Sequence, residues 1–311
     1  MNHASEKLYG DLQASNDCLD DAETLNRIFN QQGYLFFRSV LNVQQVQEVK
    51  NDFTRELQRQ GFVKQSSSEP VWTGRNLEEL DDEPIYSLDY YPNLLDTNTT
   101  QSFFGQLFHE PVFTFRSASI RYTTPNDEKH GSPAHQDHFY VNHTTDFKTI
   151  WIPLMDIDRE MGGLAIAKRS HTQGLREHTE QNVYSYDLKG RKQKGVELKN
   201  IDEPWLTTSY RPGDILVFHP HTLHWAPTNR SEKMRLSIDV RCQPASSPRS
   251  WQSQSTLLGL RQFRREVQEI AAEEGTSPQL LEALLIEMMA RGTRPEQAEV
   301  RSLIAEISVI N

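Results

Sequence analysis

The chain has 311 residues, 36% hydrophobic and 24% charged, a size that supports one large domain or two small ones. Its net charge of −10 argues against a nucleic-acid partner, which needs a concentrated basic face, and leaves small molecules or proteins as partners. No apolar run approaches the ~20 residues of a membrane-spanning helix, and the amino-terminal MNHASEKLYGDLQ lacks the apolar core of a secretory signal, so a cytoplasmic protein is expected.

The first 20 or so residues are polar, and 1–61 reads as a lead-in of helix, strand and helix. Leu25, Ile28 and Phe29 lie on one side of a predicted helix from Ala22 to Gln32, which Gly33 stops. Tyr34 to Phe37 follows as a buried strand. Asn42 with Gln45 has the form of a capping box, and Val43, Val46, Val49, Phe53 and Leu57 give the next helix an apolar face as far as Gly61. Residues 62–110 carry no clean period and mix aromatic with acidic side chains, which suggests an irregular, lid-like region, either a pocket wall or a plain surface loop. From 111 to 243 the chain turns strand-like: Phe113–Tyr122, Thr149–Met155, Gly163–Ala167, Asp214–Phe218 and Met234–Arg241, separated by turn residues. Such spacing predicts a mainly β fold with flanking helices, a jelly roll or double-stranded β-helix. In the last of these runs Leu236, Ile238 and Val240 alternate with Arg235, Ser237, Asp239 and Arg241, so one face is apolar and the other polar. A Ser-rich hinge then leads into C-terminal helices over 250–311: Leu257, Leu258, Leu260, Phe263, Val267 and Ile270 form one stripe, Ser277-Pro278 is a helix start, and Glu296–Val309 is amphipathic. These helices are expected to cover the sheet or to form a homodimer contact. Cys18 and Cys242 stand apart with no pairing pattern and read as reduced packing thiols.

Chemistry concentrates around His135-Gln136-Asp137. Residues two apart in an extended segment point the same way, so an imidazole and a carboxylate can grip one ion. A neutral nitrogen with an anionic oxygen suits Fe(II), and a third ligand on one face leaves three positions open. H-x-D alone is common as a surface pair, so the third ligand decides. The segment His219-Pro-His221-Thr-Leu-His224, after the turn Pro212-Gly213-Asp214, offers three candidates.

At this point the chain resembles the phytanoyl-CoA dioxygenase family of Fe(II)- and 2-oxoglutarate-dependent oxygenases. That family has H-x-D, later a Gly-Asp turn and strand, then a His followed by Asn, Ser and Arg at fixed spacing. His224, Asn229, Ser231 and Arg235 fit that spacing. The resemblance extends to Gln31 through Asn42, to Trp151-Ile-Pro-Leu154, and to Gly162 through Ser170-His171, and spans roughly residues 22–243. One departure is Lys168-Arg169, where the family has Pro-Gly; it is expected to change a turn and leave the metal site alone.

The resemblance implies that His135, Asp137 and His224 hold Fe(II), with 2-oxoglutarate as co-substrate and O2 as oxidant. It implies Arg235 as the anchor for the far carboxylate, a role that suits the guanidinium fork. Ser237 on the same face adds a hydroxyl donor, Trp151 matches a position beside the co-substrate, and Arg121 points toward the same region. Because Asp137 is present, where related halogenases carry a small residue, hydroxylation is expected, with a desaturating or ring-forming variant beside it. His138 and His143 are read as pocket or loop residues, His171 as structural, and His221 as a group behind the ligands. Trp72, Arg75, Tyr86, Tyr90, Phe139 and Tyr140 are candidate pocket residues for a natural product or metabolite, and the acidic surface disfavours an acyl-CoA. Two other readings share the metal ligands: a non-oxidative jelly-roll enzyme using zinc or manganese, and a catalytically silent small-molecule-binding module. Arg235 separates them from an oxygenase, because neither needs a dicarboxylate anchor.

Overall fold

The computed structural model describes residues 10–141, 146–184, 192–276, 284–285, 287–289, 291 and 293–308, so the expectations for His143 and for a helix start at Ser277-Pro278 fall outside the described residues. The chain enters on a short strand, β1 (Gly10–Asp11), and then helix α1 (Ala22–Gln32), capped by the Asp21 side chain. Gly33 ends the helix in the left-handed region, φ 80°, against His171 and Thr222, so a side chain there meets both a strained backbone and filled space. Strand β2 (Tyr34–Phe37) is buried throughout, and Asn42 caps α2 (Val43–Arg59) by accepting from the backbone N–H of Gln44 and Gln45.

Residues 62–110 hold more regular structure than their sequence suggests. They include α3 (Glu83–Tyr86), a π-type turn over Tyr91–Leu95 and α4 (Asn98–Gln106). Leu77, Ile85, Leu94, Leu95, Phe103 and Phe104 are buried in the main core together with α2. These segments pack as a layer against a sheet. Their apolar residues come from several short helices and turns, none longer than nine residues, which leave little period to read.

The strands that follow are β3 (Val112–Thr114), β4 (Ser119–Thr123), β5 (Lys148–Pro153), β6 (Ala165–Ala167), β7 (Thr179–Tyr184), β8 (Lys192–Gly195), β9 (Trp205–Thr207), β10 (Ile215–Phe218), β11 (His224–Trp225) and β12 (Arg235–Pro244). The run expected as one strand over 113–122 is broken at 115–118, where Tyr91 Oη accepts from Ala118 N and donates to Phe115 O. The large sheet runs β2-β10-β5-β12-β3, with β4 also on β12; the small one runs β1-β9-β6-β11, and β7-β8 form a separate ribbon. This is the expected double-stranded β-helix. Antiparallel register sorts the large sheet into two faces. Leu35 and Phe37, Ile215 and Val217, Ile150 and Ile152, and Leu236, Ile238 and Val240 share the outer face, and all are buried in the main core that α2 also joins. Thr149, Trp151, Arg241, Asp239, Ser237, Arg235, Arg121 and Thr123 share the inner face.

Two turns fix how the strands meet. Asp214 accepts from Arg38 (2.6 Å), from Ser39 N (3.1 Å) and from Arg211 N (2.9 Å), tying the end of β2 to the start of β10. Asn229 is buried; its amide donates to Thr123 O (3.2 Å) and Lys233 O (2.6 Å), and its oxygen accepts from Ser231. That knot sets the path from β11 to β12 and gives the Asn/Ser spacing its physical cause.

Helices α5 (Trp251–Gln254), α6 (Leu257–Glu273) and α7 (Gln297–Ser308) follow. Trp251, Phe263, Val267, Met288, Val300 and Ile304 belong to a second core of their own, which Leu260 and Ile270 of α6 also join. Arg261 docks this unit on α3, with its guanidinium over the Tyr86 ring (4.5 Å) and paired with Asp82 (2.8 Å). Among the described residues no helix is long and apolar enough to cross a membrane.

Candidate active site

His135, Asp137 and His224 are all buried and converge between the two sheets. The start of β11 and the H-x-D segment are bridged by paired backbone bonds, His135 N to His224 O (3.0 Å) and His224 N to His135 O (3.1 Å). The two rings therefore lie 4.2 Å apart, centre to centre. Gln136 between the ligands points away: its side chain donates to Gly174 O (2.8 Å) and His221 O (2.6 Å) and accepts from Arg176 N (2.7 Å). Its backbone is extended, and Asp137 opens a single 3-10 turn, so the alternation expected from H-x-D holds across that one residue.

Hydrogen bonds settle which imidazole nitrogen is free. His135 Nδ1 lies 2.7 Å from Pro133 O, and His224 Nδ1 lies 3.0 Å from Thr222 O. A carbonyl only accepts, so both Nδ1 atoms carry the proton and both Nε2 atoms present a lone pair. Asp137 Oδ1 stands 3.6 Å from His135 Nε2 and 3.7 Å from His224 Nε2. Burial pushes the His224 pKa down to about 4, so the ring is neutral at pH 7. Burial would raise the Asp137 carboxyl, but the Arg241 guanidinium beside it holds it well below the usual carboxylate range. Two imidazole Nε2 atoms and one carboxylate oxygen make a donor set for a divalent transition metal. Among the described residues this is the one group of three such side chains whose ligand atoms all lie within 4.8 Å of one another.

Along the inner face of β12 the polar residues continue away from the triad. Arg235 is buried and donates to Gly162 O and to Thr123 Oγ1 (2.9 Å). Ser237 is 1% exposed, and its hydroxyl has no hydrogen-bond partner among the described residues. A buried orphan hydroxyl beside a buried guanidinium fits an acceptor group such as a carboxylate arriving between them. Trp151 is buried on the same face opposite Asp239 and packs edge-on against Tyr210 (4.7 Å). Arg121 stands in register with Ser237, with its side chain 41% exposed and its Nε 2.5 Å from Asp239. It is therefore one half of a partly exposed ion pair on that face.

The other candidate pocket residues divide. Tyr140 packs its ring on His135 (5.6 Å) and donates to Lys194 O (2.6 Å), while Phe139 stacks on His178 (4.2 Å), so both flank the triad. Tyr90 is spent on Ala118 O (2.8 Å), Tyr86 on Arg261, and Trp72 packs against the main core. Arg75 is at the surface with Glu79 (2.9 Å), and its guanidinium lies over the Phe62 ring (4.8 Å). His219 and His221 do not join the triad. Thr149 and Arg241 both bond Asp137 and are not among the residues that the sequence singles out; the alternation of β12 turns Arg241 inward and is the available signal.

Known proteins agree with this geometry. The model of the phytanoyl-CoA dioxygenase family matches residues 29–237. A 1-deoxypentalenic acid 11-beta-hydroxylase from Streptomyces arenae is 34% identical over 248 residues, covering 76% of this chain and 87% of that protein, and one from Streptomyces exfoliatus is 32% identical over 249 residues with the same shares. Among solved structures, the epimerase SnoN, in complex with Fe3+, alpha ketoglutarate and nogalamycin RO, superposes with a TM-score of 0.51 at 18% identity over 73% of this chain and 85% of that one. The apo form of EctD from S. alaskensis gives 0.51 at 13% identity over 79% and 88%. At such identities these two structures speak for the fold alone. The family match, the hydroxylase relatives and the buried His-Asp-His group together show that this chain belongs to the phytanoyl-CoA dioxygenase family of Fe(II)- and 2-oxoglutarate-dependent oxygenases.

Proposed function

We propose that the protein hydroxylates an unactivated C–H bond of a small natural product or metabolite, consuming 2-oxoglutarate and O2 and releasing succinate and CO2. The observation that carries this reading is the arrangement of Asp137 Oδ1, His135 Nε2 and His224 Nε2 at one end of a polar sheet face that leads to the orphan Ser237 hydroxyl and buried Arg235. Fe(II) held by those three atoms would supply the oxidising power and leave positions open for the 2-oxo acid and oxygen. Arg235 binds the far carboxylate with Ser237 donating to it, Trp151 walls that end of the pocket, and Arg121 with Asp239 presents a polar rim. Tyr140 and Phe139 give the reacting end an apolar wall that excludes water. Retention of the Asp137 carboxylate favours hydroxylation over halogenation.

The relatives are named for hydroxylating 1-deoxypentalenic acid. That compound is the first to try as substrate. Anaerobic protein loaded with Fe(II) and 2-oxoglutarate should develop a weak visible charge-transfer band, and in air it should form succinate in proportion to a substrate added. Properly metallated protein with no band would refute the reading. The protein acts in the cytoplasm in this reading. A homodimer through the C-terminal helices would use their outer, polar faces, and light scattering measures it directly.

A further inference from the structure

The inner face of β12 carries two arginines, and the co-substrate anchor accounts for one of them, Arg235. The other, Arg241, stands in register with Thr149 of β5, and both residues reach the same atom. Asp137 Oδ2 accepts from Thr149 Oγ1 at 2.5 Å, from Arg241 Nε at 3.1 Å and from an Arg241 Nη at 2.9 Å. The Arg241 side chain is 12% exposed and that of Asp137 2%, so the pair is shielded from water and from screening ions. Three donors fill the lone-pair capacity of Oδ2. Oδ1 faces the two imidazole Nε2 atoms.

We infer that Arg241 and Thr149 form a clamp that fixes the denticity of Asp137, holding one carboxylate oxygen so that the other alone is offered to the metal. The inference rests on the oxygenase reading. A carboxylate free to rotate can bind a divalent ion through both oxygens and would occupy a position that the 2-oxo acid or oxygen needs. With Oδ2 committed to a guanidinium and a hydroxyl, that second bond requires breaking charge-assisted hydrogen bonds in a buried site. Arg241 is thus a positioning residue acting through Asp137. The same pairing places a positive charge behind the ligand, so the anion is neutralised from the protein side before an ion arrives.

The test uses the full chain loaded anaerobically with Co(II), whose d–d spectrum reports coordination number, followed by titration with 2-oxoglutarate. In Arg241→Gln the Co(II) spectrum is expected to change, Co(II) affinity to fall by about 10–100-fold, and 2-oxoglutarate to bind at least tenfold more weakly. Arg241→Lys restores part of each, and Thr149→Val, which removes one hydroxyl and keeps the shape, moves the spectrum in the same direction by less. An ion pair that serves only the fold would lower the melting temperature and leave the spectrum and both affinities where they are; that result overturns the proposal. Should Arg241→Gln fail to fold, Thr149→Val carries the test, and an unchanged spectrum there overturns it equally. Wild-type protein that takes up Co(II) but no 2-oxoglutarate would sink the oxygenase reading, and the spectral difference between wild type and variant would still decide the clamp.

Discussion

Two groups of histidines lie a few residues apart in sequence and have opposite chemistry. His135 and His224 each donate from Nδ1 to a backbone carbonyl and turn a bare Nε2 toward Asp137. His219 does the reverse: its Nδ1 accepts from His221 N (3.0 Å), which leaves the proton of the neutral ring on Nε2. His171 donates from Nε2 to Asn30 O (3.0 Å), and His178 uses both nitrogens, toward Arg176 O (2.9 Å) and Gln136 N (3.0 Å). His138 and His221 pack edge to face at 4.6 Å, and His171 and His219 lie 5.3 Å apart. Proximity of imidazoles therefore does not make a metal site. What makes one is which nitrogen the backbone has already claimed, together with a carboxylate held in reach.

The largest expected effect tests that contrast at its centre. Asp137→Ala and His224→Ala should each abolish substrate-dependent succinate formation, whereas His219→Gln should keep turnover within a few-fold of wild type. Loss of activity in His219→Gln with the triad intact would break the comparison. Next in size is Arg235→Gln. Each charge-assisted hydrogen bond contributes about 1.5–3 kcal/mol, so losing the fork should raise the KM for 2-oxoglutarate by on the order of 10²-fold. The Co(II) spectrum of the ligand-free protein should be unchanged. An altered spectrum would mean that Arg235 shapes the metal centre itself, and the division of labour between the two ends of β12 would be lost.

Much of this contrast is legible in the amino-acid sequence. The strict alternation of β12 marks a face carrying Arg235, Ser237, Asp239 and Arg241, and the paired register with β4 and β5 then follows from burial of the other face. H-x-D offers two candidate ligands because an extended backbone puts neighbours at i and i+2 on one side. The third candidate emerges only through a family pattern, since His219, His221 and His224 are equivalent until hydrogen bonds at Nδ1 are known. Thr149 stays hidden because its role depends on pairing with a strand many residues away. Residues 62–110 look irregular because buried side chains such as Ile85, Leu94 and Phe104 come from separate short helices and turns, none longer than nine residues, which set up little period. Arg75 misleads because a cation among aromatic residues looks like a pocket wall in sequence, while in space it covers Phe62 at the surface.

A smaller effect should separate the two groups by pH. Burial is the main reason the His219 pKa falls to about 3, with His171, His221, Lys148 and His138 adding repulsion, and burial likewise lowers His178 to about 4. An unfolded imidazole takes up a proton below its usual 6.5, while the folded ones stay neutral until pH falls much further. The unfolded chain therefore binds more protons between pH 6.5 and about 4, and stability declines as pH falls through that window and is flat above it. His219→Gln should remove about 1–2 kcal/mol of this acid sensitivity, allowing for partial solvent screening. Denaturant melts of metal-free protein at pH 7 and pH 4.5 would measure it. An identical pH slope in wild type and variant would mean that His219 is protonated in the fold, and the tautomer argument would fall.

The smallest effect concerns Arg169, beside His171 at the edge of the second group. This is where the family pattern has glycine, and the backbone keeps the glycine-like conformation, φ 64° and ψ 8°, with an arginine in place. A left-handed residue other than glycine costs roughly 1–2 kcal/mol, while replacing it by glycine frees the unfolded chain by about 0.4–1 kcal/mol. Arg169→Gly should therefore be neutral to mildly stabilising, by up to about 1 kcal/mol, which a thermal melt resolves as a few degrees at most. The turn it belongs to still matters to the site by another route. Ser170 is fully buried, donates to Ala167 O (2.8 Å) and accepts from Leu223 N (2.8 Å), locking β6 to the residue before His224. Because glycine suits the same backbone, that lock should survive, and Co(II) and 2-oxoglutarate affinities should stay within about twofold of wild type. A larger change would show that the exposed Arg169 side chain, and through it the second histidine group, is coupled to the metal centre after all.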